Sequence, residues 1–565
     1  MMDDFRAMPD DEAIATAVSS VLTLFDFGVQ NLKPLQMLSL RLLVGRRDVF
    51  ACFPTGFGKS LIFHLLPHVC ARLAANGFQQ YPADPVVLVV TPLKSLMRDQ
   101  VAILKRKGFA AAFVGESDSS DAAIKVGKFP YVYGSPEVLV GSREWRCALQ
   151  ANELRERFVA VVVDEAHTVV QWGTACQDVS EEEEPFRVWC GLVGELRSLL
   201  DVPCLALTAT ASASTRKALT LALGLRNAVE IVKSPDRPNI HLSVKRVAPD
   251  FETTFDWLLR MIQTLGVACP RVLVYCRTQN ACASLYLHFN HTLGKRAFSP
   301  EGETLVENRL VEMYHSSTPE ANKEAILTSL RAVDGKCRVL FATNALGLGI
   351  DVKGLHTVVH WGPANTLESY MQEIGRCGRD GGQSRAVLYY HGQQLQHIDF
   401  EMRQYLFDSD TCRRKLLLLP FGAPPVQPET QHQCCDVCAR TCSCAKPSDC
   451  SGIQDIFWNS HHQEVRDGVH HRSHRPVSLP HIALIRTALL EYKEMEEEIF
   501  TPSVQQPQYS SCTHVRPISD DCIQEILSNL TNFSQWEDIL NLVPELSDSQ
   551  SKDIIDLINY VLTYE

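Results

Sequence analysis

Two stretches of this chain combine residue types that could handle phosphate and a metal ion: Pro54-Thr55-Gly56-Phe57-Gly58-Lys59-Ser60 and Asp164-Glu165-Ala166-His167. A glycine-rich turn of the first kind, here Thr55, Gly56 and Gly58, cups phosphates with backbone N–H groups. Lys59 then reaches the β- and γ-phosphates, and the Ser60 hydroxyl faces Mg²⁺. The second stretch offers Asp164 to the same metal and Glu165 to an attacking water, with His167 alongside. Together the two halves imply a site that binds and hydrolyses a nucleoside triphosphate with Mg²⁺.

Such groups must be delivered by strands. An apolar run precedes each stretch, and Phe158 to Val163 has the unbroken apolar character of a strand buried on both faces. Further runs at 86–90, 205–207, 272–275, 339–341, 358–360 and 386–389 alternate with helical stretches twice over. That alternation implies an α/β fold with two parallel-sheet lobes, of which only the first carries a phosphate loop. The boundaries expected are 1–233 and 234–400 for the lobes, with a proline-bearing linker at 234–239.

The 565 residues, 45% hydrophobic and 21% charged, have an ordinary globular composition with room for several domains. No apolar run is long enough for a membrane span and the N-terminus is acidic, so a place in the cytosol or nucleus is expected, with no membrane partner. The net charge of −12 excludes a protein that coats nucleic acid by bulk electrostatics. It does not exclude a motor that grips a strand through local basic groups and stacking. The Glu181–Glu184 run reads as a solvated loop.

Some nine separated strings between Phe27 and Cys438 resemble, in order, the motifs of the RecQ family of superfamily 2 DNA helicases. Phe27-Gly28 with Lys33 and Gln36 resembles the adenine-reading motif, with Lys33 where arginine is usual; the Gln36 amide offers a donor and an acceptor to the base edge. Residues 91–100 and 133–137 look like motifs Ia and Ib, which in the family line the single-strand path. Thr208-Ala209-Thr210 resembles motif III, and Tyr275-Cys276 lies at the motif IV position. Residues 342–351 resemble motif V, which places Gly349 and Asp351 beside the nucleotide. Residues 372–381 resemble motif VI, which adds Gln372. Its Arg376 and Arg379 are expected side by side on a short helix, where they would neutralise charge on the γ-phosphoryl group, with Arg379 as the arginine finger.

The resemblance implies an ATP-dependent helicase moving 3′ to 5′ along single-stranded DNA and opening forked duplex. It implies a nuclear enzyme, with the cytoplasm as the other location, in DNA repair or recombination. A second reading is a nucleic-acid-stimulated ATPase that does not unwind and acts as a scaffold or clamp. The family's aromatic-rich loop motivates that alternative. Gln171-Trp172-Gly173 and Phe186-Arg187-Val188-Trp189 resemble it, but Thr174 to Pro185 is interposed and a His-Asp pair is missing. Trp172 either stacks on bases or anchors the loop to the core. Phe57 fills a slot that is often glycine, and its side chain is expected to point outward.

Cys412-Arg413-Arg414-Lys415 and Cys434-Cys435-Asp436-Val437-Cys438 are similar to the family's zinc-binding subdomain, expected at 401–450. Four thiolates in a reducing compartment favour a closed, structural Zn²⁺ site. Cys412, Cys434, Cys435 and Cys438 are the expected ligands, and His432 competes for the place of Cys434. A His/Arg-rich linker is expected at 451–481. From 482 to 565 the spacing of Ile523, Ile526, Leu527 and Leu530, and of Ile554, Ile558, Val561 and Leu562, predicts helices. No run of strands for a winged helix is legible there, so this region is a candidate for recruiting a protein partner.

Overall fold

A strand reads as an unbroken apolar run only when helices cover both faces of its sheet, and the central strands of this protein are built that way. The computed structural model describes residues 8–173, 188–346, 352–396, 398–426, 431–440, 442, 479–500, 517–530, 533, 536–543 and 546–563. The first lobe holds a seven-stranded parallel sheet in the order β3-β4-β2-β5-β6-β1-β7. Its strands are β1 (Val49–Cys52), β2 (Val86–Val90), β3 (Ala111–Phe113), β4 (Tyr131–Gly134), β5 (Phe158–Val163), β6 (Cys204–Thr208) and β7 (Val229–Val232). Pleating divides the core: Val49 and Ala51 pack into one apolar layer, Phe50 and Cys52 into the other.

The chain leaves this sheet at Val232 and enters a second one at Ile240. That six-stranded parallel sheet runs β10-β11-β9-β12-β13-β8. It comprises β8 (Ile240–Arg246), β9 (Arg271–Cys276), β10 (Val311–Tyr314), β11 (Val339–Ala342), β12 (Leu355–Trp361) and β13 (Ser384–Tyr390). In the first sheet, β6 lies between β1 and β5. Three consecutive turns therefore leave the same carboxyl edge side by side: 53–58 after β1, 209–212 after β6 and 164–166 after β5. Ligand sites of open α/β sheets form at such edges.

Beyond the second sheet, the helices Arg413–Leu418 and Asp436–Arg440 pack on β8, and the helix Phe400–Phe407 packs against Arg413–Leu418 and the helix Leu367–Ile374. The helices Leu479–Phe500, Asp520–Ser528, Trp536–Leu542 and Asp548–Thr563 form a separate bundle around Ile485, Leu489, Ile526, Ile539 and Ile554. Only helices occur among its described residues. The bundle touches the second lobe, where Arg246 Nη1 donates to the Leu540 carbonyl at 3.3 Å. Residues 482–565 carry fifteen Asp and Glu against four Lys and Arg, so this bundle region holds nearly all of the net charge of −12. The lobes themselves are close to neutral. No helix among the described residues is long and apolar enough to cross a membrane.

Candidate nucleotide cleft and sulfur cluster

The phosphate loop is shaped by two glycines in the left-handed region, Gly56 (φ +78°) and Gly58 (φ +90°), after which the helix Lys59–Ala75 begins. Phe57 lies between them in an ordinary L-residue conformation. Its side chain does not point outward. It is buried (8% exposed), its ring centroid 4.7 Å from that of Phe53, with Lys33 Nζ 4.5 Å and Lys233 Nζ 4.7 Å from the ring centroid. The two lysines give a ring in this slot a cation–π environment that glycine would leave empty. Lys59 Nζ donates to the Phe53 carbonyl at 3.2 Å, which holds it at the mouth of the loop. Ser60 follows in the first turn of the helix.

Gln36 is almost fully buried and its amide is engaged. Its Oε1 accepts from the Lys33 N–H (2.9 Å), and its Nε2 donates to the carbonyls of Phe57 (3.1 Å) and Gly58 (3.0 Å). Lys33 Nζ also donates to the Phe57 carbonyl at 3.0 Å. These two side chains brace the phosphate loop, and to read an adenine edge the Gln36 donor must leave those carbonyls. A Cβ at Gly58 would come within 2.7 Å of Gln36 Nε2, a second reason for glycine there.

Asp164 is buried at the end of β5, and burial together with the adjacent Glu165 charge pushes its carboxyl up to about 7, although Lys59 pulls the other way. A divalent cation at this place would favour the ionised form. Glu165 has φ +52°, an unusual conformation for a residue with a side chain that costs on the order of 1–3 kcal/mol. The strain turns its carboxylate toward His167, whose Nδ1 lies 3.6 Å from Glu165 Oε2. Thr208 Oγ1 donates to the Thr210 carbonyl (2.9 Å), so it accepts from His167 Nδ1 (3.0 Å), and the proton of the neutral imidazole sits on Nδ1. Burial keeps His167 neutral by lowering its pKa.

From Thr210 the contacts cross to the second lobe. Gln372 Nε2, on the helix Leu367–Ile374, donates to Thr210 Oγ1 at 2.8 Å. Thr55 Oγ1 donates to the Gly375 carbonyl at 3.3 Å. The helix ends at Ile374, so Arg376 and Arg379 are not helical. They stand in a turn that Gly378 (φ +60°) and Gly381 (φ +85°) bend back on itself. Both arginines act electrostatically on the buried Tyr275 hydroxyl, which places them together beside the end of β9. The turn is held from outside by Arg237 of the connecting segment, whose guanidinium donates to the carbonyls of Gly375 (3.4 Å), Cys377 (3.2 Å) and Gly378.

The four sulfurs of Cys412, Cys434, Cys435 and Cys438 all lie within 4.8 Å of one another. Cys412 Sγ is 3.6 Å from Cys434 Sγ and 3.9 Å from Cys435 Sγ, and the Cys438 N–H donates to Cys435 Sγ at 3.4 Å. The Cys434 and Cys435 thiols hydrogen-bond to Cys412, which favours its thiolate, and the same contacts favour the protonated form of Cys434. His432 points elsewhere, with Nδ1 3.7 Å from Cys442 Sγ. A compact cluster of four soft donors of this size suits Zn²⁺. Arg414 joins it to the cleft: its guanidinium donates to Asp236 Oδ1 (2.6 Å) and to the carbonyls of Arg237 (2.9 Å) and Cys434 (3.4 Å).

Residues 33–219 match the DEAD/DEAH box helicase family and residues 254–381 the helicase conserved C-terminal domain. The chain is 30% identical to the probable ATP-dependent DNA helicase RecS of Bacillus subtilis, over 64% of this chain and 64% of that protein. It is 30% identical to ATP-dependent DNA helicase Q5 of Mus musculus, over 67% of this chain and 36% of that protein. The chain belongs to the RecQ family. It is also 27% identical to the mouse bifunctional 3'-5' exonuclease/ATP-dependent helicase WRN, over 73% of this chain and 28% of that protein. This RecQ-family chain thus spans less than two thirds of the length of these relatives. The helicase MrfA bound to DNA and AMPPNP shares the fold, with a TM-score of 0.52 at 17% identity over 75% of this chain and 54% of that one.

Gly349, Asp351, the insert from Thr174 to Pro185, and Phe186 and Arg187 of the aromatic-rich stretch lie outside the described residues. Trp172 is half-buried at the end of the helix His167–Gly173, and the glycine after it has a packing reason. A Cβ on Gly173 would come within 2.1 Å of the Gly191 backbone, so the two segments that flank the insert meet glycine to glycine. Arg237 and Glu368 border the cleft, and no motif spacing announces them. The one signal for Arg237 is a lone arginine between two prolines in the 235–238 segment.

Proposed function

We propose that this RecQ-family chain is an ATP-dependent DNA helicase. The observation that carries the reading is the run of hydrogen bonds from His167 through Thr208 and Thr210 to Gln372, because it joins the acid pair of one lobe to the arginine turn of the other. On this reading Lys59 and the 55–58 amides hold the phosphates, and Ser60 and Asp164 hold Mg²⁺. Glu165 orients the attacking water, and Arg376 and Arg379 neutralise charge on the departing phosphoryl group. Lys33 and Gln36 serve the adenine, with Gly349 and Asp351 of the 342–351 stretch completing the nucleotide site.

A strand of DNA would run along the carboxyl edges of the two sheets. A cavity of about 360 Å³ at the ends of β9 and β12, lined by Arg277, Thr278 and Asn344, supports that path on the second lobe. Cys412, Cys434, Cys435 and Cys438 would hold one structural Zn²⁺. Movement 3′ to 5′, a nuclear location and a part in repair or recombination follow from the family resemblance alone. The deciding experiment is strand displacement on a forked DNA duplex with and without ATP. ATP-dependent separation is the expected result. ATP turnover without separation would make the protein a nucleic-acid-stimulated clamp instead.

A further inference from the structure

The helix Ala213–Ala222 follows directly on the Thr208–Thr210 turn, and its N-terminus is finished by a residue from the other lobe. Ser212 is its N-cap and accepts from the Thr215 N–H at 3.1 Å. In a capping box, a Glu or Gln three residues after the cap reaches back to the cap's own N–H. Here that position is Thr215, whose hydroxyl is too short to do so. The missing carboxylate comes from Glu368, whose Oε1 accepts from the Ser212 N–H (2.6 Å) and from Thr215 Oγ1 (2.7 Å). A negative charge at this end also complements the helix dipole.

Glu368 and Gln372 are four residues apart on the helix Leu367–Ile374, hence on one face, and both grip residues 210–215 of the first lobe. The first turn of the 213–222 helix is therefore complete only when the lobes meet. That turn adjoins Thr208, which holds His167, two residues beyond Glu165. The Glu368 carboxylate also reaches His167 through space, where it opposes the effect of burial.

We propose that Glu368 is a positioning residue that reports lobe closure to the acid pair, by completing the N-terminus of the 213–222 helix across the cleft. The inference rests on ATP hydrolysis in that cleft. It gives Glu368 no contact with nucleotide, so its loss acts on turnover and not on nucleotide affinity.

Glu368→Ala is expected to lower kcat for ATP about tenfold in the presence of single-stranded DNA, with KM for ATP within twofold of the parent. Glu368→Gln, which keeps the acceptor and loses the charge, should recover part of the loss. Thr215→Val, which removes one donor, should lower kcat about threefold alone and have little further effect in the Glu368→Ala background. Parental kcat in Glu368→Ala, or fully additive effects of the two changes, would overturn the proposal. Hydrogen exchange on the nucleotide-free protein separates this from the helicase reading. Peptides covering 212–220 should exchange faster in Glu368→Ala while those covering 53–60 do not change, and unchanged exchange at 212–220 would refute the cross-lobe cap whether or not the parent hydrolyses ATP. A parent without ATPase that nevertheless shows the exchange difference would sink the enzymatic reading and leave the cap standing.

Discussion

The phosphate loop of the first lobe and the arginine turn of the second face each other across the cleft and solve opposite problems by similar means. Each is bent by two glycines in the left-handed region, Gly56 and Gly58 in one, Gly378 and Gly381 in the other. The loop offers N–H groups to an anion, and Lys33 and Gln36 of its own lobe brace it. The turn must bring two cations together. Its carbonyls are held by Arg237, which belongs to neither sheet, and Arg237 is in turn held through Arg414 beside the sulfur cluster. A site built on backbone donors can be finished locally. One built on like charges needs outside carbonyl partners and a rigid connection to keep them in place.

The largest effect expected is on the loop side. Lys59→Ala should reduce ATP turnover at least about 100-fold, the scale seen when one charge-stabilising donor is removed. The melting temperature should hold, since Lys59 contacts only the loop. Hydrolysis near the parental rate would take Lys59 out of the site.

Zinc removal comes next and tests the turn. Purified protein should contain about one zinc per chain, and stripping it with a zinc-selective chelator should unfold the 400–442 segment, because a structural zinc contributes on the order of 10 kcal/mol to folding. Since Arg414 connects that segment to Asp236 and Arg237, kcat should fall in step with zinc loss while ATP affinity, measured with Mg²⁺ restored, stays. Full activity at zero zinc would uncouple the cluster from the turn.

Arg237→Ala should lower kcat about tenfold, a modest case of what misplacing catalytic groups by a fraction of an ångström does. Arg237→Lys should not restore it, because a single ammonium cannot bond the spread of carbonyls that the guanidinium spans. Equal rates for Arg237→Lys and the parent would mean that only charge matters there.

The smallest effect belongs to Phe57. Phe57→Leu keeps a smaller apolar side chain in the slot and removes the ring beside Lys33 and Lys233, at about 0.5–1 kcal/mol for each cation–π contact. A two- to fivefold rise in KM for ATP with unchanged kcat is expected. A change in kcat instead would mean that Phe57 acts on the chemistry and not on the loop's shape.

Legibility followed burial. The central strands β2, β5, β6, β9, β11 and β12 are apolar runs in the sequence because both of their faces are covered. β3, β7, β8 and β10 are not, and these are the four edge strands of the two sheets. Their exposed positions break the run, as in Val229-Glu230-Ile231-Val232, where only Ile231 is buried. β4 was hidden for a different reason: four residues ending in glycine are too short to stand out. The loop glycines, the acid pair, the arginines and the four cysteines were all readable from type and spacing, because each is a local cluster with its own chemistry.

Residue types and spacing along the chain were enough to pick out the groups proposed to act on phosphate, metal and water, and the family. How those groups are held is a matter of contacts between distant segments. Phe57 turns inward because two lysines 200 residues apart in sequence meet over its ring. Cys434 joins the sulfur cluster and His432 turns to Cys442 because of the fold of one short turn. Glu368 meets Ser212 and Thr215 only when two separately folded lobes come together, and Arg237 meets the carbonyls of Gly375 and Cys377 only once the connecting segment lies against the arginine turn. Their partners are backbone atoms and hydroxyls of distant segments, and those pairings exist only once the chain has folded, so no spacing along the sequence records them.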